Sequence, residues 1–174
     1  TGLEDQDQGF EKLAVFYAER AREGLQLIVT GGFGVNETAL GMPEHAKFST
    51  LCTPERAAQH RIITHAVHQE GSHILMQLLH VGRYDHGSGG VSPSSVESKL
   101  SNRSSRELSH AQVEQIIADY VRCATLAREA GYDGVEIMGG EGYLINQFLA
   151  PLTNFREDQW GESAAGRSRF ALRI

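Results

Sequence analysis

Three times along the chain a long amphipathic stretch ends on a glycine and gives way at once to a short apolar run. The first stretch predicts a helix over residues 10–23, with Phe10, Leu13, Ala14, Tyr17 and Ala21 on one face, closed by Gly24. Residues 25–30, Leu-Gln-Leu-Ile-Val-Thr, then read as a strand running into Gly31-Gly32-Phe33-Gly34. The second helix starts near Pro54, a favoured first-turn residue, turns Ala58, Ile62, Ile63, Ala66 and Val67 inward, and stops at Gly71 before a strand over 73–79. Ser109-His-Ala-Gln112 fits a capping box for the third, which carries Val113, Ile116, Ile117, Tyr120, Val121, Ala124 and Ala127 to Gly131 and a strand over 134–138. Even the lead-ins match: Ala21-Arg-Glu-Gly24 and Ala127-Arg-Glu-Ala-Gly131.

Strands alternating with long helices imply parallel βαβ units, hence an α/β fold, either an open doubly wound sheet or a (β/α)8 barrel. In both architectures chemistry gathers at the C-terminal ends of the strands. Here those ends are residues 30–34, 80–84 and 138–143. The Ser- and Gly-rich connection 85–108 is expected to be a surface loop covering the same face.

Charge narrows the partners. Sixteen Lys and Arg against 22 Asp and Glu give a net charge of −6, with no basic cluster, which argues against nucleic acid or an anionic membrane surface. No run approaches the roughly 20 apolar residues of a membrane span, and there is no signal peptide. A cytoplasmic protein acting on a small molecule is the expectation, and the sequons at Asn36 and Asn102 read as chance. Cys52 and Cys123 are too isolated for a disulfide framework or a thiolate metal site.

Gly31, Gly32 and Gly34 match a dinucleotide fingerprint poorly, because the third glycine would fall on Glu37, and no Walker A run is present. Such glycines either turn the chain or let backbone approach a ligand. His65 and His68, with His60 near them, are placed on a solvated helix surface: no acidic or Cys partner lies nearby in sequence, so no metal site is expected. His80, beside Gly82 and Arg83, either shapes a pocket or is structural. Gln77 interrupts an apolar strand, and a buried amide needs partners, either in the core or on the edge of a ring such as a flavin or pyrimidine. The densest signal runs from Glu136 to Arg156: a strand ends, two glycines remove side-chain bulk, and Glu141 and Tyr143 are delivered at its mouth. A tyrosine, protonated at neutral pH with an ordinary pKa of roughly 10, can serve there as a general acid.

This stretch resembles the old yellow enzyme family of FMN-dependent oxidoreductases. The family pattern Gly-Tyr-Leu-x-x-Gln-Phe-Leu-x-Pro-x-x-Asn-x-Arg-x-Asp stands here at residues 142–158, and Trp160-Gly161, Arg167-Ser-Arg-Phe170, Gln77-Leu-Leu-His-Val-Gly-Arg83, Phe16-Tyr-Ala-Glu-Arg20 and Ile28-Val-Thr-Gly-Gly32 extend it. Minor departures fall at Glu162 and Gly166. Where the family usually grips a ketone or nitro oxygen with a His pair or His and Asn, this chain has Met138 and Glu141, and in this it looks like the 2,4-dienoyl-CoA reductase branch. The resemblance implies a (β/α)8 barrel with FMN at its mouth, Gln77 on the flavin pyrimidine edge and the Gly32 backbone near the isoalloxazine. It further implies Tyr143 as proton donor, tuned or positioned by Glu141, and an acyl-CoA contact along Leu152, Thr153, Asn154 and Phe155. In that branch NADPH is the reductant, acting through FAD and a 4Fe-4S cluster held elsewhere. Enone or xenobiotic reduction, or a barrel that has lost flavin, are the alternatives. On this reading residues 1–174 hold roughly strands 2–4 of the eight, an incomplete FMN-binding domain whose first strand and C-terminal half lie outside it. A half-barrel with open edge strands is expected to fold poorly by itself.

Overall fold

Gly24, Gly71 and Gly131 all take left-handed backbone angles, with φ of +96°, +77° and +91°, and each follows the end of a helix. The protein is seen in a computed structural model and described over residues 1–41, 49–85, 90–98 and 103–174. Helix α1 (Gly9–Arg22) leads to strand β1 (Leu27–Gly34), α2 (Pro54–Gln69) to β2 (His73–Leu79), and α3 (His110–Glu129) to β7 (Gly134–Ile137). Between β2 and α3 lie four two-residue strands, β3 (Val91–Ser92), β4 (Glu97–Ser98), β5 (Arg103–Ser104) and β6 (Arg106–Glu107); two short helices, α4 (Leu144–Leu149) and α5 (Ala164–Arg173), close the chain. The main sheet has the order β1-β2-β7 and is parallel throughout.

Helices cover one face of this sheet. Ile28, Phe33, Ile74, Met76 and Leu78 point into a core shared with Leu13, Tyr17, Ile63, Val67, Val113 and Tyr120. On the other face Leu27 and Val29 are 56% and 43% exposed. The α3 capping box forms as expected, Ser109 Oγ accepting from Gln112 N–H while Gln112 Oε1 accepts from Ser109 N–H.

Several expectations are corrected. Strand β1 does not stop at Thr30: Gly31, Gly32 and Gly34 carry no left-handed angles and stay extended to Gly34. Val29 pairs with Leu75 and Gly32 with Gln77, so Thr30 and Gly31 stand together opposite Met76, a β-bulge. The Thr30 hydroxyl bridges it, accepting from Gln77 N–H at 3.0 Å and donating to Gly31 O at 2.8 Å. The connection 85–108 is not plain loop, since β3 pairs with β6 and β4 with β5; residues 86–89 and 99–102, Asn102 among them, lie outside the described residues. The last helix is a formed one of ten residues, its cap Ser163 accepting from Gly166 N–H. Val121 is exposed, and Asp119, Cys123 and Leu126 take the inward positions of α3. Among the described residues no helix is long and apolar enough to cross a membrane.

The inward face of α2 is also different: Ala57, His60, Ile63, Thr64 and Val67 are buried, whereas Ala58 and Ile62 are exposed. His60 is not on a solvated surface. Its ring packs edge-on against Phe10 and Phe33 at 5.0 and 4.8 Å, and its Nδ1 lies 2.9 Å from the Tyr132 hydroxyl. Three aromatic rings surround the imidazole and its Nδ1 is bonded, its buried Nε2 having no partner among the described residues, and Thr64 donates to Ala130 O at 2.7 Å. His65 and His68 are exposed as expected, but His68 does have an acidic partner. Asp133 receives His68 Nε2 at 2.9 Å and His73 Nδ1 at 3.1 Å, and also accepts from Ile74 N–H. Burial alone would raise the Asp133 pKa; these bonds outweigh it and bring it to about 2.

Burial pulls the His60 pKa down to about 3. The unfolded chain therefore takes up a proton near pH 6.5 that the folded chain refuses until about pH 3. The contribution of neutral His60 is complete above pH 6.5 and is lost progressively as pH falls through that window. Denaturant titrations of the full-length protein at pH 7 and pH 5 are expected to show lower stability at pH 5, with the difference reduced in His60→Phe. An undiminished difference in that variant would rule out His60 as its source.

Candidate active site

At the C-terminal ends of the three strands the sheet register sets one polar row. Gly32 pairs with Gln77 and Gln77 pairs with Glu136, so the three positions lie side by side on the face turned away from the helices. A Cβ on Gly32 would sit 2.6 Å from Leu79 Cδ2 and 3.1 Å from Gln77 Oε1, so only glycine lets those side chains lie across β1. The groups that close over Gly32 within the chain are Leu79 and the Gln77 amide. The bulge bridge from Thr30 fixes the Gln77 backbone, while its half-buried side-chain amide makes no hydrogen bond among the described residues. A buried oxygen of Glu136, Oε2, likewise has no partner.

Above this row β2 runs into His80-Val81-Gly82-Arg83. His80 is almost fully buried; its Nδ1 accepts from Gly82 N–H at 3.1 Å, which leaves the proton on Nε2, an atom with no partner among the described residues. Complete burial lowers its pKa to about 4, so the ring is neutral at physiological pH. The α4 segment docks here through Leu144 N–H to His80 O at 3.0 Å.

Glu141 and Tyr143 arrive on the turn after β7. Glu141 has a left-handed φ of +59° and is exposed; Tyr143 is the residue before α4, half-buried, with its N–H on Gly140 O. The two are near neighbours in this turn, but no hydrogen bond joins their side chains among the described residues. What holds the turn is Gln147, one turn into α4 and 1% exposed. Its Oε1 accepts from Arg83 N–H at 3.1 Å, and its Nε2 donates to Val81 O at 3.1 Å and Gly142 O at 2.7 Å. It thus ties the end of β2 to the residue preceding Tyr143, and a Cβ on Gly82 would fall 2.3 Å from its Oε1.

The segment 152–155 divides. Leu152 and Phe155 project outward, but Thr153 and Asn154 are buried and engaged internally, Thr153 with Gln147 O and Ala150 O, Asn154 Nδ2 with Phe148 O and Trp160 O. Within this stretch the side chains open to the outside are therefore those of Leu152 and Phe155. Arg156 is scaffold as well: it pairs with Asp158 and donates to Pro93 O and Leu108 O, pinning the 85–108 connection against the segment after α4. The sequence signals that picked out Tyr143 and Gln77 did not separate Gln147 and Glu136 from their neighbours: the role of Gln147 depends on Val81 and Arg83, brought in from the turn after β2, and that of Glu136 on its place beside Gln77.

A flavin fits this arrangement. Its pyrimidine edge offers both donors and acceptors, and the Gln77 amide, with no internal partner, presents both in turn at the strand ends. Among the described residues no group of three His, Cys, Asp or Glu is placed to hold a metal ion.

Comparison with known proteins shows the family. The model of the NADH:flavin oxidoreductase / NADH oxidase family matches residues 1–174. A metal reductase of Desulforamulus reducens is 39% identical over 170 residues, covering 94% of this chain and 25% of that protein. A protein of Oryza sativa subsp. japonica described as putative 12-oxophytodienoate reductase 5 is 36% identical over 172 residues, covering 92% of this chain and 45% of its own length. Among solved structures, morphinone reductase in complex with tetrahydroNAD superposes with a TM-score of 0.83 at 30% identity, over 92% of this chain and 49% of that one. The old yellow enzyme homologue from Zymomonas mobilis also superposes at 0.83, over 94% and 48%. The chain spans less than half the length of these relatives, and its open parallel sheet is part of the wall of their (β/α)8 barrel. With the family model matched over residues 1–174 and the fold superposing on an old yellow enzyme homologue, the chain belongs to the old yellow enzyme family of NADH:flavin oxidoreductases.

Proposed function

We propose that the full-length protein is an FMN-dependent reductase of activated C=C bonds with Tyr143 as its proton donor. The observation that carries this is the juxtaposition of an unpartnered Gln77 amide with Tyr143 on the turn after the neighbouring strand. FMN, reduced by NAD(P)H, supplies the hydride. Gln77 would hold the flavin edge beside the Gly32 backbone. Hydride adds to the β-carbon of an alkene conjugated to a carbonyl, and the Tyr143 hydroxyl delivers its proton to the α-carbon. One C=C π bond is lost, two C–H bonds form, and the tyrosinate is reprotonated from water. The relatives named for 12-oxophytodienoate and morphinone reduction support acceptors of this enone class.

A second reading is favoured by one local feature. Met138 and Glu141 occupy the turn where an oxygen-gripping pair is usual in the family, and a thioether cannot donate a hydrogen bond to a carbonyl oxygen. This supports a 2,4-dienoyl thioester, reduced at its δ-carbon with Tyr143 protonating the neighbouring carbon. In that case Leu152 and Phe155 are the apolar contacts for the acyl-CoA, and FAD and a 4Fe-4S cluster belong to other parts of the full-length protein.

The two separate in one experiment. The purified full-length protein is expected to be yellow, and its reduced flavin to be reoxidised anaerobically by 2-cyclohexenone faster than by 2,4-decadienoyl-CoA. The opposite order would establish the thioester reading, and a protein that neither retains nor takes up FMN would sink both.

A further inference from the structure

Tyr84, the residue after the Gly82-Arg83 turn, is used neither by the core nor by the site as built so far. Its ring stands edge-on to that of Tyr143, with centroids 6.1 Å apart at 72°. On the same side it lies over the backbone of Gly142: a Cβ there would come 2.7 Å from the Tyr84 hydroxyl and 3.1 Å from its ring. Gly142, with φ +76°, therefore leaves the space that the Tyr84 phenol fills. The phenol is itself held. Arg83 Nη2 donates to its hydroxyl at 3.1 Å, and the guanidinium carbon lies 5.0 Å from its ring centroid. Arg83 is fixed in turn by its N–H on Gln147.

We propose that Tyr84 is a positioning residue for the proton donor, its ring setting the orientation of Tyr143 by contact from the side of β2. The inference rests on Tyr143 acting as proton donor and adds what aims it. Among the described residues the Tyr143 hydroxyl has no hydrogen bond to steer it, and Gln147 fixes only main chain, at Gly142 O and at Tyr143 O. The one aromatic wall within reach among the described residues is Tyr84, and an edge-to-face pair has a preferred geometry, so the ring limits the angles Tyr143 can take. Proton transfer to carbon depends on that aim far more than substrate binding does, because a misplacement of about 1 Å can cost on the order of 10² in rate.

The test uses the full-length holoenzyme and measures its two half-reactions separately. In Tyr84→Leu, reoxidation of the reduced flavin by 2-cyclohexenone is expected to slow by about 10–100-fold with KM little changed. Flavin reduction by NAD(P)H, and reoxidation by ferricyanide, which needs no proton on carbon, should stay at the wild-type rate. Tyr84→Phe keeps the ring and should restore C=C reduction to within a few fold. If the leucine variant does not hold FMN, Tyr84→Met takes its place. Wild-type C=C reduction in the folded variant, equal slowing of both half-reactions, or a phenylalanine variant as slow as the leucine one would each overturn the positioning role. Tyr143→Phe run in parallel keeps the two ideas apart: if it is slow while Tyr84→Leu is not, the positioning inference alone fails. If Tyr143→Phe is itself unimpaired, the proton-donor reading fails and the inference with it.

Discussion

Tyr143→Phe is expected to slow C=C reduction by the full-length enzyme by about 10²–10⁴, the usual worth of a general acid, while leaving flavin reduction by NAD(P)H unchanged. The substitution is clean for structural reasons. Tyr143 contributes its backbone to the turn, N–H to Gly140 O and C=O to Gln147 N–H, and its ring to the edge contact with Tyr84; phenylalanine keeps all three. Only the hydroxyl goes. Rapid-mixing measurements of the two half-reactions check this directly, and an alkene half-reaction at wild-type speed would remove Tyr143 from the chemistry. Tyr143→Phe should also lose most of the solvent deuterium sensitivity that belongs to delivery of this proton. Glu141→Gln is expected to act more weakly, since its side chain is exposed and makes no hydrogen bond to Tyr143 among the described residues.

Gln147→Ala carries the second large effect, on stability and on the site together. Three hydrogen bonds disappear, and the groups left behind, Arg83 N–H, Val81 O and Gly142 O, remain where water has poor access. At about 1 kcal/mol net for each bond, plus the cost of stranding buried partners, the loss should be about 3 kcal/mol or more. Urea titration of the full-length protein measures it. Gln147→Glu is a sharper probe: the carboxylate can still accept from Arg83 N–H, but it turns an oxygen towards Val81 O and Gly142 O where a donor stood. Glutamate should therefore rescue little or nothing. A variant as stable as wild type would mean that the β2 turn and the α4 turn are held by other contacts.

Much of this architecture could be read from local chemistry, because the signals that specify it are local. Gly24, Gly71 and Gly131 end helices through a backbone angle that glycine adopts without strain, and Ser109 and Gln112 cap α3 within four residues. The strand 73–79 was delimited by its own composition, and Tyr143 by its place after a strand and two glycines. What stayed hidden depends on partners far away in sequence. His60 looks like a surface residue until Phe10, Phe33 and Tyr132 are brought around it from three other elements. The Asp133 partner of His68 is 65 residues distant. The run from Gly142 to Asp158 does not divide itself by role: Tyr143 keeps its ring half-exposed beside Tyr84, while Gln147, Asn154, Arg156 and Asp158 are the frame that holds this turn in place.

The irregularity at Thr30–Gly31 makes β1 two strands in series with opposite phase. Below it even-numbered residues, Ile28 and Thr30, face the helices; above it the odd-numbered Phe33 does. The lower half is thereby free to follow the demands of packing while the upper half answers to the site, and neither constrains which residue types the other can use. Deleting one of the two residues would leave a single residue opposite Met76, so Gly32 would stay beside Gln77 and Phe33 under the helices, in unbroken phase with β2. What the extra residue supplies is therefore local twist and the hydroxyl bridge that holds the Gln77 main chain, and related chains one residue shorter here should keep the same side chains at the mouth but hold them less firmly.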